Sequence, residues 1–123
     1  MSDDPTPLSL RAGQIVLADW RGDALPKEPN KLRPAVVIDR DAFFGPHFPN
    51  TILVPLTDDA RLAMPEVSLH ILPTPGNGCT KPCWAASYLV TTTAKSRVRA
   101  TQSSVTPAEL LAIREQVALA IGI

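Results

Sequence analysis

The sequence lacks an excess of either charge: its 12 Lys and Arg residues balance its 12 Asp and Glu residues, so the formal net charge is zero. No long-range field therefore draws the chain to DNA or to an acidic membrane, and any contact with nucleic acid must come from a local basic cluster. The sequence also lacks an apolar run near the ~20 residues that a membrane-spanning helix needs. Its first seven residues are acidic and Pro-rich, unlike a secretory leader, so we expect a cytoplasmic protein.

Potential metal ligands and nucleophiles are scarce, with two cysteines and two histidines in the chain. Cys79 and Cys83 are separated by three residues, which matches neither a redox CxxC pair nor a zinc motif, and the histidines are isolated. We therefore expect free thiols in a reducing compartment and neither a metal nor another cofactor. Gly-rich phosphate loops, GxSxG and HExxH are absent as well. A Cys–His hydrolase is formally possible, but no pattern places a histidine beside either thiol.

Short apolar segments rich in β-branched residues predict a mainly β fold, and 13 prolines argue against long helices before the C-terminus. Residues 35–38 and 52–56 are continuously apolar, which is typical of strands covered on both faces in a small closed barrel. We expect a flexible segment at residues 1–12 and one domain at residues 13–123. The predicted strands are residues 14–20, 34–39, 51–57, 66–72, 84–92 and 96–99.

One helix is predicted at the C-terminus. Thr106, Pro107 and Glu109 form a capping-box pattern, with Thr at the N-cap and Glu three residues later. Gly122 is a stop signal for the same helix. Its apolar face is formed at helical spacing by Leu110, Ile113, Val117 and Ile121.

Two strand ends carry groups suited to phosphate chemistry. Arg33 precedes an apolar strand, and its guanidinium fork matches a phosphate, although an ordinary surface arginine is the more common interpretation of that position. Thr57 and Asp58 follow another apolar strand, where Thr57 could hydrogen-bond a phosphate oxygen and Asp58 could orient a hydroxyl or accept a proton. The alternative is a turn in which the aspartate bonds its own backbone.

Basic side chains could form a groove along an RNA backbone if the fold brought them together. Some lie in the polar stretch at residues 21–32, which predicts a mobile surface loop, and others lie late in the chain. These residues are Lys27, Lys31, Arg33, Lys95, Arg97 and Arg99. Aromatic residues that could stack on bases, although in a small barrel aromatics are more often core, are Trp20, Trp84, Tyr88, Phe43 and Phe44.

Taken in order, GQIVLADW at residues 13–20, LRPAVVI at 32–38 and TILVPLT at 51–57 resemble the MazF/PemK family of toxins from type II toxin–antitoxin systems. SVTPAELLAI at 104–113 also matches the way in which family members enter their last helix. The resemblance implies an SH3-like barrel with a C-terminal helix, a homodimer and a cognate antitoxin as partner. It also implies a metal-independent endoribonuclease that cuts single-stranded RNA such as mRNA.

The same resemblance implies that Arg33 holds the reacting phosphate and that Thr57 hydrogen-bonds beside it, while the ribose 2′-hydroxyl attacks the neighbouring phosphorus. It implies that the loop at residues 21–32 borders the RNA site and contacts the antitoxin. We expect the unusual stretch at residues 76–83 to bear on sequence preference. The predicted RNA contacts are Lys27, Lys31, Ser87, Lys95 and Arg97.

The resemblance fails on the strand at residues 84–91. Family members often carry an acid, a glutamine and a base there, whereas this chain reads WAASYLVT, with Ser87 about where the glutamine would be. The identity of the general base is therefore open. Asp58, Glu28 or a histidine replaces it, or Arg33 and Thr57 act alone, or the protein binds without cutting.

A toxin of the same fold that binds without cutting is the alternative interpretation. CcdB-type gyrase poisons end in a short apolar tail with Gly-Ile, and this chain ends in Ile121, Gly122 and Ile123. It lacks the tryptophan expected before that glycine and it has the RPAVV strand, so the endoribonuclease interpretation is favoured. A catalytically inactive module that binds RNA or protein is the third possibility.

Overall fold

The β-branched apolar segments form strands, as their composition predicts. In the computed structural model, which describes residues 9–19, 32–41 and 43–123, seven strands make one antiparallel sheet. The strands are β1 (Gln14–Asp19), β2 (Leu32–Val37), β3 (Asn50–Thr57), β4 (Leu69–Ile71), β5 (Cys83–Ala85), β6 (Thr91–Ala94) and β7 (Val98–Ser104). One helix, α1 (Pro107–Ala120), follows them.

Among the described residues the sheet is barrel-like but does not close into the predicted barrel, because its strand path ends at β4 and β7. Ile113 of α1 packs in its inner core, and the mainly β class with a C-terminal helix is confirmed. The strand order of the sheet is β4-β5-β3-β2-β1-β7, and β6 pairs with β3 beside this path. Both apolar faces of β2 are covered: Val36 packs in the inner core with Val54, Ile71 and Ile113, whereas Ala35 and Val37 pack on the opposite face with Leu53. The prediction that residues 35–38 are covered on both sides is therefore confirmed.

Three strand predictions differ from the structure. Residues 84–92 do not form one strand, because β5 pairs with the last residues of β3 and β6 with its first residues, and a 3₁₀ turn at Ser87–Leu89 connects them. The strand predicted at residues 96–99 begins at Val98 and continues to Ser104, after a 3₁₀ turn at Lys95–Arg97. The strand predicted at 66–72 shrinks to β4, since Glu66 adopts a positive φ of 72°.

The helix starts and ends where its caps predict. The Thr106 Oγ1 accepts a hydrogen bond from the Glu109 backbone N–H at 3.1 Å, and the Thr106 N–H donates to Glu109 Oε1 at 2.9 Å. At the other end, Gly122 has a φ of 89°, which a glycine adopts without strain. Ile113 is fully buried, but Ile121 is exposed, so the predicted apolar face is one residue too long. No helix in the described residues is long and apolar enough to cross a bilayer.

Candidate functional site

A cavity of about 370 Å³ opens at the point where β2 begins and β3 ends. Residues of β1 and β7 also line it, and two of its walls differ in construction. The strand wall consists of Arg33, Pro34, Leu56, Thr57 and Asp58. The loop wall belongs to the β4–β5 loop (residues 72–82) and consists of Asn77, Gly78, Cys79, Thr80 and Lys81.

The register of the sheet brings Arg33 and Thr57 together. Ala35 of β2 pairs with Pro55 of β3, and the same antiparallel register, continued by two residues, places Arg33 opposite Thr57. Thr57 is buried, and its Oγ1 accepts a hydrogen bond from the Asp59 N–H at 3.0 Å. Its hydroxyl hydrogen can still be donated to a ligand oxygen. The two residues selected from the sequence as phosphate ligands thus line one cavity.

Asp58 does not stand alone, because the loop wall supplies a cation to it. The Lys81 Nζ lies 2.5 Å from the Asp58 Oδ2. The hydrogen bond and the charge of Lys81 lower the pKa of Asp58, and the carboxylate in turn raises the pKa of Lys81. Both groups are therefore charged at neutral pH. A carboxylate whose pKa is lowered is a weak proton acceptor, so the geometry favours Asp58 as the residue that orients Lys81.

One buried side chain shapes the loop wall. The Asn77 Oδ1 accepts hydrogen bonds from the N–H groups of Thr74 and Cys79, both at 3.0 Å, and its Nδ2 donates to the Leu72 carbonyl at 2.9 Å. Gly78 follows with a φ of 66°, and a Cβ there would lie 2.6 Å from Ser103 Oγ. Asn77 and Gly78 thus fold the loop back against β7 and bring Lys81 to the cavity.

The two cysteines also belong to this loop region, and their Sγ atoms lie 4.0 Å apart. Burial, followed by the neighbouring Cys79, raises the pKa of Cys83 to about 12. Cys83 is therefore a neutral thiol at physiological pH and a poor nucleophile. In the parts of the chain that the structure describes, both cysteines are free thiols and no three His, Cys, Asp or Glu side chains form a metal-binding group.

The other predicted RNA contacts do not meet at this cavity. Ser87 is fully buried and its Oγ donates to Gln116 Oε1 at 2.8 Å, so it supports the packing of α1 and does not line the cavity. Lys95 follows Ala94, which pairs with Asn50 at the opposite end of β3, and its Nζ donates to the Gly45 carbonyl.

Arg97 lies in the same 3₁₀ turn as Lys95, and it does not line the cavity. Lys27, Lys31, Glu28 and the predicted mobile loop up to residue 31 lie outside the described residues.

From the sequence, the stretch 76–83 was considered as a whole, but Asn77 and Lys81 were not selected as individual site residues. The dense turn residues at 73–78 indicate a loop but not its direction, and Lys81 stands 24 positions from Thr57 in the sequence. A buried asparagine that bonds three backbone groups has no local pattern that distinguishes it from an exposed turn asparagine.

Comparison with known families gives one match along nearly the whole chain. Residues 11–121 match the family described as PemK-like, MazF-like toxin of type II toxin-antitoxin system. No curated protein sequence matches the chain.

Solved structures with the same fold include MazF toxins of low sequence identity. MazF from Deinococcus radiodurans aligns with a TM-score of 0.72 at 19% identity, over 94% of this chain and 99% of that one. The Mycobacterium tuberculosis toxin MazF-mt6 aligns with a TM-score of 0.70 at 17% identity, over 89% of this chain and 97% of that one. An endoribonuclease in complex with its cognate antitoxin, from a mycobacterial species, aligns with a TM-score of 0.68 at 19% identity. The alignment covers 94% of this chain and 97% of that one.

Proposed function

The chain belongs to the PemK-like, MazF-like family of toxins of type II toxin–antitoxin systems, and from this premise we propose that it is an endoribonuclease that cuts single-stranded RNA in the cavity described above. The observation that supports this proposal best is the combination of donors around one cavity. Arg33, Thr57 and Lys81, which carry a guanidinium, a hydroxyl and an ammonium group, are all among the residues that line it. Such a set matches a phosphodiester whose negative charge increases during the reaction.

In the proposed reaction the ribose 2′-hydroxyl attacks the adjacent phosphorus. The bond between O2′ and phosphorus forms as the bond to O5′ breaks, which leaves a 2′,3′-cyclic phosphate and a free 5′-hydroxyl. One proton leaves O2′ and one is delivered to O5′, so no net proton is consumed. Arg33 holds two phosphate oxygens through its fork, and Thr57 donates its hydroxyl hydrogen to one of them.

Lys81 supplies the second positive charge of the site. Family members often carry a base at the positions that correspond to residues 84–91, and this chain has none there. Lys81 reaches the cavity from the β4–β5 loop instead, where Asp58 orients its ammonium group. Asp58 is thus a positioning residue, and acceptance of the O2′ proton by Asp58 is the alternative that the last prediction below distinguishes.

We propose that the reaction needs no metal and no cofactor. The nucleophile is part of the substrate, so no metal-activated water is required. By the same family argument, the partners are a second copy of the chain in a homodimer and a cognate antitoxin, in the cytoplasm where mRNA is present. The mycobacterial endoribonuclease with this fold was solved in complex with its own antitoxin.

The test is incubation of the purified protein with a labelled single-stranded RNA of mixed sequence in excess EDTA. We expect fragments that end in a cyclic phosphate and begin with a 5′-hydroxyl. A matched RNA with a 2′-deoxy sugar at the cleaved position must stay intact, because it lacks the nucleophile. Loss of cleavage in EDTA with recovery in Mg²⁺ contradicts the mechanism, and failure to cut any RNA supports the interpretation as a binding module.

A further inference from the structure

Four side chains form a row across the sheet, of which Arg33 and Thr57 line the cavity and Trp84 and His70 extend beyond it. Thr57 of β3 pairs directly with Trp84 of β5, and Trp84 pairs directly with His70 of β4. Arg33 of β2 continues the row on the other side of Thr57 through the register already described. Residues that pair directly in antiparallel strands project from the same face of the sheet, so these four side chains share one face.

The neighbours of the row show which face this is. Leu56, Ala85 and Ile71 each lie one position along their strands from Thr57, Trp84 and His70, and all three are buried in the inner core. Side chains alternate between faces along a strand, so the row projects away from that core.

The outer part of the row is an aromatic stack. The rings of Trp84 and His70 have centroids 5.1 Å apart and planes inclined by 30°. Trp84 is half-buried and His70 is exposed. Neighbouring strands are ~4.8 Å apart, so the Trp84 position is ~5 Å and the His70 position ~10 Å from Thr57. The ring pair therefore begins one strand from Thr57. Because each ring covers one face of the other, the faces left for a base are that of Trp84 toward Thr57 and the outer face of His70.

We propose that Trp84 and His70 form a stacking platform for unpaired bases next to the reacting phosphate, a role that rests on the function proposed above. Every base has a π face, so stacking binds single strands with little dependence on sequence, whereas bases in a duplex already stack on each other. The platform thus gives a physical reason for selection of single-stranded RNA. It also places an RNA contact, Trp84, within residues 84–91, where the acid, glutamine and base of the family are missing.

The platform is tested by affinity for an RNA that cannot be cut, which carries a 2′-deoxy sugar at the cleavage site. Trp84→Ala should weaken its binding by about tenfold or more, as the loss of one stacked base predicts, and Trp84→Phe should restore most of the affinity. His70→Ala should weaken RNA binding by less than Trp84→Ala does, because His70 lies at the outer edge of the platform. Phe43→Ala is the matched control, since Phe43 is 74% exposed and lies off the row.

An abasic scan of the same RNA identifies the stacked base. One or two abasic positions beside the 2′-deoxy sugar should lower affinity for the parent protein but not for Trp84→Ala. In cleavage assays the variant should raise KM and leave kcat near the parent value. Parental affinity in both Trp84→Ala and His70→Ala, or equal sensitivity of parent and variant to every abasic position, overturns the platform.

The two proposals fail in different ways. A parent protein that binds the RNA with this abasic pattern but cuts nothing contradicts the cleavage function and leaves the platform in place. A parent that cuts RNA while Trp84→Ala and His70→Ala keep its KM contradicts the platform alone. If Trp84→Ala melts far below the parent, His70→Ala carries the test, because His70 is an exposed residue on an edge strand.

Discussion

The two walls of the cavity are built by different physical means. Arg33 and Thr57 belong to neighbouring strands whose backbone hydrogen bonds continue into the core, where Val36 pairs with Val54. Lys81 belongs to a loop that one buried side chain, Asn77, holds in shape. The contact between the walls is an exposed ion pair, with the Lys81 side chain 67% and the Asp58 side chain 54% exposed.

This difference predicts different contributions to catalysis. The strand wall is preorganised, since moving Arg33 relative to Thr57 requires distortion of the sheet. The loop wall is adjustable, because exposed ion pairs contribute ~0–1 kcal/mol and side chains as long as lysine lose entropy when they are fixed. We therefore expect the strand wall to determine the rate of the chemical step and the loop wall to modulate it.

Removal of the strand-wall cation should have the largest effect. Arg33→Ala should lower kcat/KM for RNA cleavage by ~10²-fold or more, because preorganised donors stabilise the charge that develops in the transition state. Arg33→Lys, which keeps the charge but loses the fork, should fall between parent and Arg33→Ala. The melting temperature should barely change. Cleavage by Arg33→Ala at the parental rate would remove Arg33 from the mechanism.

The strand wall could be predicted from the sequence better than the loop wall, because the strands follow local patterns and the loop does not. The apolar runs at residues 35–38 and 52–56 identify β2 and β3, and Arg33 and Thr57 lie at the ends of these runs. Arg33 lies near Thr57 because of the register between β2 and β3. The apolar periodicity and the family resemblance both constrain that register.

The features that were wrong or missed depend on long-range pairing. The break between β5 and β6 arises because the two strands pair with opposite ends of β3, which no local propensity encodes. The burial of Ser87 depends on Gln116, a residue 29 positions later in α1. Likewise, Lys81 reaches Asp58 because Asn77 bonds backbone groups inside the loop, which depends on tertiary burial of an ordinary turn residue.

Disruption of the loop wall should have a smaller effect than loss of Arg33. Lys81→Met, which keeps the length but removes the charge, should lower kcat/KM by about tenfold, near the scale of a partly screened charge contact. Asn77→Ala should lower activity to a similar extent, since its three backbone partners lose the bonds that shape the loop. The double variant should be little worse than either single variant, because both changes remove the same contribution.

Kinetic measurement of the two single variants and the double variant checks this coupling. Thr92→Ala is a suitable control, as Thr92 is an exposed strand residue that does not line the cavity. Effects of Lys81→Met and Asn77→Ala that multiply would show that Asn77 acts on something other than the placement of Lys81. A loss as large as that of Arg33→Ala would contradict the idea that the loop wall only modulates the reaction.

The smallest effect is expected at Asp58, where the two walls meet. Asp58→Asn keeps the shape of the side chain but removes the charge that orients Lys81, so we expect a decrease in kcat/KM of about threefold, in keeping with an exposed pair.

Lys81 lowers the pKa of Asp58 below its ordinary value of 3.8, so the parent carboxylate is ionised throughout the neutral range. Any stability or activity that depends on this charge is present above that value and is lost as the pH falls through the lowered pKa. The rate profiles of parent and Asp58→Asn should therefore run parallel from about pH 5 to 9, measured on one RNA at constant ionic strength. A fall of ~10²-fold or more, with a change in the shape of the profile, would instead identify Asp58 as the proton acceptor.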